Sequence, residues 1–234
     1  MTQAPANVPP STVAGAGLTA IAAMAGAKGG SVTACSREEV RISYHLKPSP
    51  ALLAQTMNPG ASQDFTVRRA EPEELPALGR LVAEAYAALP GMPGPADQPK
   101  YYAMVRNAAG RAANPAIRIL AAVGSTGELL GSADFIEDMA HYASGGTAST
   151  RKNASGIRLL AVAPGARGRG IGKALTLDCV ARARTLERAT VVLHTTRAMQ
   201  TAWRMYEQLG FQRSPDLDFR QGDLEVFGFE LDLR

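Results

Sequence analysis

The chain has 234 residues, of which 46% are hydrophobic and 20% charged, and its net charge is +4. These are the proportions of a globular protein, and so small a positive charge argues against a nucleic-acid binder. No apolar run approaches the length of a membrane span, so we expect no membrane partner.

Cysteine usage bears on the compartment in which the protein works. Cys35 and Cys179 are the two cysteines, and they lie far apart in the sequence, so neither a disulfide framework nor a metal site is expected. The mildly apolar segment 14–27 contains several glycines and has no basic residue before it, which argues against a secretory signal peptide. We therefore expect a cytoplasmic protein.

Residues 1–63 differ in composition from the rest of the chain. They are rich in Ala, Gly, Pro, Ser and Thr, and prolines and glycines interrupt their apolar runs. Such a segment buries too little apolar surface to offset its ordering entropy. We expect a largely disordered N-terminal extension over 1–63, with a packed subdomain as the alternative, and one folded domain over 64–234. Met57 would serve as a second chain start just before that domain.

The first half of the folded part combines strands with amphipathic helices. Residues 65–69 are typical of a strand, and the apolar residues of 75–89 recur at three- and four-residue steps, which predicts a helix. A second helix is predicted over 101–112. Two alternating runs at 117–123 and 129–136, joined by a glycine turn, predict a β-hairpin.

The second half follows a polar loop and contains three strands and two helices. They are predicted as strands at 156–162, 189–194 and 224–233 and as helices at 170–185 and 201–209. Gly210 follows the second of these helices, where a left-handed C-terminal cap is favoured. Mixed strands and helices with a late crossover indicate an α/β fold that contains a mixed sheet.

The most informative stretch joins the strand at 156–162 to the helix that follows it. Glycines at positions 168, 170 and 172 leave the backbone uncovered, so successive N–H groups can point at one anion where the helix dipole is positive. Arg167, Arg169 and Lys173 add cationic donors, which suit a diphosphate better than a carboxylate. The stretch is therefore typical of a phosphate-binding loop.

Two common phosphate loops do not fit this stretch. A Walker A loop would need a glycine where Arg167 stands and a Ser or Thr where Ala174 stands. The dinucleotide fingerprint has Gly-x-Gly-x-x-Gly spacing, whereas these glycines follow Gly-x-Gly-x-Gly, and their strand comes late in the chain. The stretch is therefore neither a Walker A loop nor a dinucleotide-binding fingerprint.

The loop resembles the acyl-CoA signature of the GNAT superfamily of N-acetyltransferases, Arg/Gln-x-x-Gly-x-Gly/Ala. In this chain it reads Arg167-Gly168-Arg169-Gly170-Ile171-Gly172, and the later stretch from Ala202 to Phe211 resembles the family's second motif. The resemblance covers roughly residues 64–234. It implies a GNAT-like α/β fold with a mixed, mostly antiparallel twisted sheet flanked by helices.

The resemblance also implies a binding site for the co-substrate acetyl-CoA, with no metal. The strands at 156–162 and 189–194 would splay apart, and the pantetheine would hydrogen-bond to exposed backbone of Leu160, Ala161 and Val162. The pyrophosphate would lie on the glycine loop, formed by Arg167, Gly168, Arg169, Gly170, Ile171, Gly172 and Lys173.

Tyr206 falls at the tyrosine position of the family's Ala-x-x-x-Tyr-x-x-x-Gly-Phe pattern. The resemblance implies that its hydroxyl gives a proton to the departing thiolate. The alternative is an aromatic residue that only packs on one face of its helix.

The general base is not readable from these motifs. Many relatives carry a Glu just before the Ile-Arg pair of the central strand, where this chain has Gly156. The substitutes are Glu137 or Asp138 after the second hairpin strand, His194 at the end of the fifth strand, or water alone.

Arg158 is a charged residue in an otherwise apolar strand. Simple alternation would place it on the same face as Leu160. It would meet either a substrate carboxylate or a structural ion-pair partner, and the sequence does not decide between them.

We expect an N-acetyltransferase that transfers an acetyl group from acetyl-CoA to a primary amine by direct attack in a ternary complex. The acceptor is a small molecule or a peptide, a protein N-terminus or lysine included. The alternative from a different class is a CoA-binding sensor or interaction module without turnover, since Gly156 removes one usual catalytic residue. The sequence leaves open whether the protein is a homodimer.

Overall fold

The structure is a computed structural model, and it describes residues 64–234. The predicted extension at 1–63 lies outside the described residues. Within residues 64–234, no helix combines the length and the apolar character needed to cross a bilayer.

The described part is built around one mixed sheet of eight strands. The strands are β1 Phe65–Arg69, β2 Ile117–Gly124, β3 Leu129–Ile136, β4 Ala154–Val162, β5 Thr190–Thr195, β6 Gln212–Arg213, β7 Phe219–Gln221 and β8 Leu224–Asp232. They lie in the order β1-β2-β3-β4-β5-β8-β6, with β7 beside β8. Every pairing is antiparallel except that of β4 with β5. This confirms the prediction of an α/β fold with a mixed, mostly antiparallel sheet.

Helices cover both faces of this sheet. The α-helices of the described part are α1 Leu75–Ala87, α2 Pro99–Arg106, α3 Ala108–Ala112, α4 Ile171–Thr185 and α5 Gln200–Gln208. Leu120 and Ala122 of β2 pack in the cluster formed with α4 and α5, whereas Ile119 and Ala121 pack in a cluster with α1 and α3. The strand is apolar on both faces because each face meets a helical layer.

The start of α1 is stabilised by charged residues on the preceding segment. Glu71 and Glu74 form a capping box around the single 3₁₀ turn Pro72–Glu74, which leads directly into α1, and Arg68 bonds to Glu74 at 2.6 Å. The Arg68 guanidinium holds the pKa of Glu74 below its ordinary value. At the other end of α1, the Tyr86 hydroxyl donates to the carbonyl oxygen of Leu160 at 3.3 Å. The helix is thus tied to β1 at one end and to β4 at the other.

The second predicted helix, at 101–112, is two helices in the structure. Asn107 interrupts it, and its side-chain oxygen accepts a hydrogen bond from the N–H of Gly110 at 2.9 Å, which caps α3. From α3, Arg111 reaches the buried Asp134 of β3 at 2.7 Å. The break therefore lets α3 bind β3 while α2 packs with residues of β4.

The end of the chain contains two strands that the sequence did not predict. β6 and β7 have two and three residues, too few to show alternation, and both pair with β8. The predicted left-handed residue after α5 is confirmed, since Gly210 has a φ of +90°.

We propose that residues 64–234 form a domain that folds without residues 1–56. A chain that begins at Met57 should melt within a few degrees of the full chain, because the composition of residues 1–56 cannot contribute a hydrophobic core. Calorimetry of both proteins is the measurement. A chain that begins at Arg68 is the control, and it should lose stability because it lacks the buried Phe65. Aggregation or a large loss of melting temperature in the Met57 protein would refute the proposal.

Candidate active site

β4 and β5 run side by side over only part of their length. Their parallel pairing extends to Ile157 with Leu193 and stops there. β5 continues, paired with β8, to Thr195, whereas β4 continues to Val162 with only β3 beside it. The two strands therefore diverge beyond Ile157, as the family resemblance implied, and no strand covers the edge of β4 over residues 160–162, where the Leu160 carbonyl oxygen already accepts from the Tyr86 hydroxyl.

A β-bulge lies in β4 where the strands diverge. Leu159 has a φ of +51°, and β4 has one residue more than β3 between Arg158 and Ala161. As a result, Leu159 packs with α1 and α2 while Leu160 packs in the cluster under α4, and Arg158 lines a cavity on the α1–α2 side. The expected alternation of Arg158 with Leu160 on one face is therefore wrong.

The glycine loop leaves backbone donors beside open space. Gly168 and Gly170 have φ values of +79° and +81°, and a Cβ at either position would meet nothing within 4 Å. Gly170 is the N-cap of α4, which has no side-chain cap, and the first helical N–H with a carbonyl partner is that of Ala174. The N–H groups of residues 171–173 therefore have no helical partner.

Three cationic side chains surround this helix start. Arg167, Arg169 and Lys173 are exposed, and none takes part in an ion pair within residues 64–234. A Cβ on Gly172 would lie 3.7 Å from the side chains of both Leu160 and Val162. The predicted loop residues and the open edge of β4 are therefore contiguous in space, and their ligand stays a prediction.

A cavity of about 90 Å³ opens beside the diverging strands, on the side away from the glycine loop. Its walls come from β4, β5, β7, β8, the end of α1, the segment around α2, the loop before β4 and the segment after β5. Its polar lining residues include Tyr142, Arg158, His194 and Thr195. Arg158 carries the one formal charge among the described lining residues.

Tyr142 and His194 form a hydrogen-bonded pair in the wall of this cavity. His194 Nε2 lies 2.9 Å from the carbonyl oxygen of Leu217, which can only accept, so we infer that Nε2 carries the hydrogen. Nδ1 is then an acceptor, and the Tyr142 hydroxyl donates to it at 3.0 Å. The carbonyl oxygen of Ile157, at 3.4 Å, is a more distant second acceptor for the same hydroxyl. Burial lowers the pKa of His194 below its ordinary value, so the imidazole is neutral at pH 7.

The ring of Tyr142 fills the space beside Gly156. A Cβ on Gly156 would overlap Tyr142 Cδ2 and lie 3.1 Å from the sulfur of Met139. The glycine that stands where many relatives have Glu therefore makes room for the tyrosine. Motif comparison missed Tyr142, although a glycine inside an apolar strand is a signal of close approach by another group.

Gly145 and Gly146 leave space for the side chain of Phe219 in β7. A Cβ on Gly145 or Gly146 would crowd the Phe219 ring, and this ring packs edge-on against His194, with centroids 5.2 Å apart. The loop before β4 and β7 therefore close the cavity around the histidine.

The two carboxylates that were candidates for the general base do not line the cavity. Glu137 pairs with Arg118 at 2.8 Å, and Asp138 accepts from the N–H of Ala140 at 2.9 Å and caps a short turn. Of the three side chains considered from the sequence, the structure brings His194 alone to the cavity. Among the described residues, no cluster of three or more His, Cys, Asp or Glu side chains could hold a metal ion.

Tyr206 lies on the buried side of α5. Its ring packs against Phe211, with centroids 5.7 Å apart. Burial raises the pKa of the Tyr206 hydroxyl above its ordinary value, and Tyr142 and Cys179 raise it further. The phenol therefore keeps its proton throughout the neutral range, and its catalytic role stays a prediction.

Known structures share this architecture. A GNAT-family acetyltransferase from Staphylococcus aureus Mu50 matches with a TM-score of 0.56 and 16% identity, over 73% of this chain and 99% of that one. The Salmonella typhimurium protein yncA, solved with its cofactor acetyl-CoA, matches with 0.52 and 17%, over 73% and 95%. The PaiA N-acetyltransferase of Thermoplasma acidophilum, solved with coenzyme A, matches with 0.53 and 15%, over 70% and 97%. At these identities the likeness shows a shared fold.

Sequence comparison shows the family. A search of the curated proteins found no match. The sequence model of the acetyltransferase (GNAT) family, however, matches residues 82–211, a range that includes β4, the glycine loop and Tyr206. Because this match spans more than half of the chain, the protein belongs to the acetyltransferase (GNAT) family.

Proposed function

We propose that the protein is an N-acetyltransferase that transfers an acetyl group from acetyl-CoA to a primary amine, by direct attack while both are bound. The observation that carries the proposal is the divergence of β4 from β5, with anion donors beside it on one side and a cavity holding a neutral histidine on the other. The proposal includes a cytoplasmic location, which the sparse use of cysteine favours.

The residues of the loop and of β4 fit acetyl-CoA, which supplies an acetyl thioester when bound. We assign the backbone of Leu160, Ala161 and Val162 to the pantetheine, because no strand covers this edge of β4. We assign the glycine loop, 167–173, to the pyrophosphate, since it combines unpartnered N–H groups with three unpaired cations. Donors fixed by a sheet and a helix need little reorganisation when the ligand binds.

The acceptor has to lose a proton before it can attack, since an alkyl ammonium titrates near pH 10 or so. We assign this proton to the Tyr142 hydroxyl oxygen, as Tyr142 passes its own proton to Nδ1 of His194. The carbonyl oxygen of Leu217 accepts from Nε2 and so stabilises the imidazolium. His194 then returns the proton to solvent.

Tyr206 is the proposed proton donor to the departing thiolate. Its raised pKa means that the hydroxyl is protonated at every working pH. The donation is a hydrogen bond that becomes a proton transfer as charge develops on sulfur. The attacking nitrogen releases one proton to solvent as the amide forms, and Tyr206 takes up one proton from solvent after CoA has left, so the protons balance.

The sensor alternative rested on the missing side chain at Gly156. The Tyr142–His194 pair offers a base at that place, which favours turnover. Thiol release from acetyl-CoA over a panel of primary amines is the test of the proposed function. Binding of acetyl-CoA without thiol release from any amine would favour the sensor.

Gly170→Asp should weaken acetyl-CoA binding well beyond the tenfold that corresponds to about 1.4 kcal/mol. The substitution adds a side chain and a repelling charge where the backbone has to approach phosphate. Calorimetric titration is the measurement. Gly127→Asp is the control, because Gly127 also has a positive φ and open space around it, at a hairpin turn. An unchanged affinity in the Gly170 variant would disprove the phosphate assignment.

Tyr206→Phe should reduce turnover roughly tenfold to a few hundredfold, because the substitution removes the transferable proton and keeps the ring. A thiolate with a pKa near 8 or 9 is already a tolerable leaving group, so the effect should lie toward the low end of general-acid catalysis. Acetyl-CoA affinity and melting temperature should barely change. Turnover within about twofold of the parent across pH 6 to 9 would leave Tyr206 as a packing residue.

Tyr142→Phe should reduce turnover at pH 7 by roughly a hundredfold or more, and the deficit should shrink toward pH 10, where the amine loses its proton to solvent. In the parent, kcat/KM should fall as the pH drops through the pKa of His194, because imidazolium cannot accept a proton. Since burial lowers this pKa, the fall should come at a lower pH than for an ordinary histidine. His194→Gln should act alike, and the double variant should be no slower than either single one. Additive deficits, or a deficit equal at every pH, would contradict the relay.

A further inference from the structure

Arg158 is held in the cavity wall with most of its donors unused. It follows the last β4–β5 pair directly and is half-buried. Of its five N–H donors, one is used within the described residues, by Nη1, which donates to the carbonyl oxygen of Tyr142 at 2.8 Å. Its guanidinium carbon lies 5.6 Å from the centre of the Tyr142 ring. The guanidinium is therefore fixed in position and can still bind a second group.

No acidic side chain of the described part forms an ion pair with Arg158. Asp134 is paired with Arg158 in the β3–β4 register, but its carboxylate binds Arg111 at 2.7 Å. Because His194 is neutral, Arg158 carries the one formal charge of the cavity lining, and no carboxylate contacts it directly. A partly buried cation without a partner is unfavourable, and an anion in the cavity would relieve this cost.

Thr195 is another polar residue of the lining. It lines the same cavity, its Oγ1 is buried, and this atom has no hydrogen-bond partner within the described residues. A buried hydroxyl without a partner is costly, and native structures rarely leave one unsatisfied. Because Oγ1 has no accessible surface, a ligand in the cavity could reach it only after a rearrangement, so the inference rests on Arg158.

We propose that the acceptor is a small amine that carries a carboxylate, as amino acids do, and that Arg158 binds this carboxylate. A plain alkylamine arrives as a cation and would be repelled by Arg158, whereas a carboxylate on the same molecule cancels that repulsion. The guanidinium fork matches a carboxylate with two parallel hydrogen bonds. The inference names the substrate class of the proposed transfer and rests on that proposal.

The size and connections of the cavity favour a small acceptor over a peptide. A cavity of about 90 Å³ accommodates several water-sized groups. Arg158 bonds to the carbonyl of Tyr142, and His194 bonds to the hydroxyl of the same residue. One residue therefore holds both the anion-binding group and the proposed base, which suits an amine and a carboxylate close together in one molecule.

The first test measures thiol release with matched triads, each an amino acid, its carboxamide and its decarboxylated amine. We expect kcat/KM to favour the amino acid at least tenfold in any triad that is acetylated. Arg158→Met should raise KM for the amino acid about tenfold to a hundredfold and leave no preference over the decarboxylated amine. Arg158→Lys should give an intermediate KM, and it retains the cation if the Met variant fails to fold. Arg184→Met, an exposed charge near the end of α4, is the control that should change nothing.

A second measurement separates binding from turnover. The same triads are titrated calorimetrically into the full-length protein saturated with CoA, which has no acetyl group to give. Heat of binding from an amino acid, absent from its carboxamide and reduced in the Arg158 variants, would support the inference. Binding that requires the carboxylate, without thiol release from acetyl-CoA, would support a carboxylate-bearing amine as the ligand and would refute acetyl transfer to it.

Three outcomes would overturn the inference. Equal rates within every triad, or a preference for the amino acid that persists in both Arg158 variants, would be compatible with acetyl transfer but would refute recognition of a carboxylate by Arg158. Faster acetylation of peptide N-termini or lysines than of any amino acid would replace the small acceptor with a peptide. Neither binding nor thiol release from any triad would count against the inference and the proposed function together.

Discussion

The early end of the β4–β5 pairing is the constraint on which the rest of the site depends. Backbone groups of an inner strand normally bond on both sides, but beyond Ile157 β4 has only β3 beside it. One end of this open edge leads to the glycine loop and the other to the cavity. The bulge at Leu159 lies in β4 directly after the point where the pairing with β5 ends. A positive φ is unfavourable for leucine, and here it accompanies a change of face that leaves Arg158 in the cavity wall and Leu160 in the core.

The acceptor side of the site depends on Tyr142. Its ring occupies the space that a side chain at Gly156 would need, its hydroxyl meets His194, and its carbonyl meets Arg158. A glutamate at position 156 would stand two residues from Arg158 on the same strand, and an ion pair between them would neutralise the base and the cation alike. A neutral tyrosine–histidine pair instead leaves the positive charge of Arg158 available to a ligand. The missing carboxylate and the unpaired arginine are therefore two parts of one arrangement.

The parts of the fold and site that local patterns encode were predictable. Strand β1 and strand β3 have the predicted bounds, Gly210 has the predicted positive φ, and the glycine loop lies between a strand and a helix as predicted. The break at Asn107 was missed because the apolar period continues through it. Alternation assigned Arg158 the wrong face because a period of two assumes that no residue is inserted, and the bulge depends on pairing with β3. Tyr142 was missed because its partners, Gly156 and His194, are 14 and 52 residues away, so its role depends on tertiary structure.

Backbone hydrogen exchange with and without acetyl-CoA tests most directly the claim that the open edge of β4 and the glycine loop form one binding site. The account predicts slower exchange at residues 160–162 and 168–173 when acetyl-CoA is saturating, with no change in β1 at the far edge of the sheet. Unchanged exchange at 160–162 under saturation, or protection confined to another part of the sheet, would contradict it.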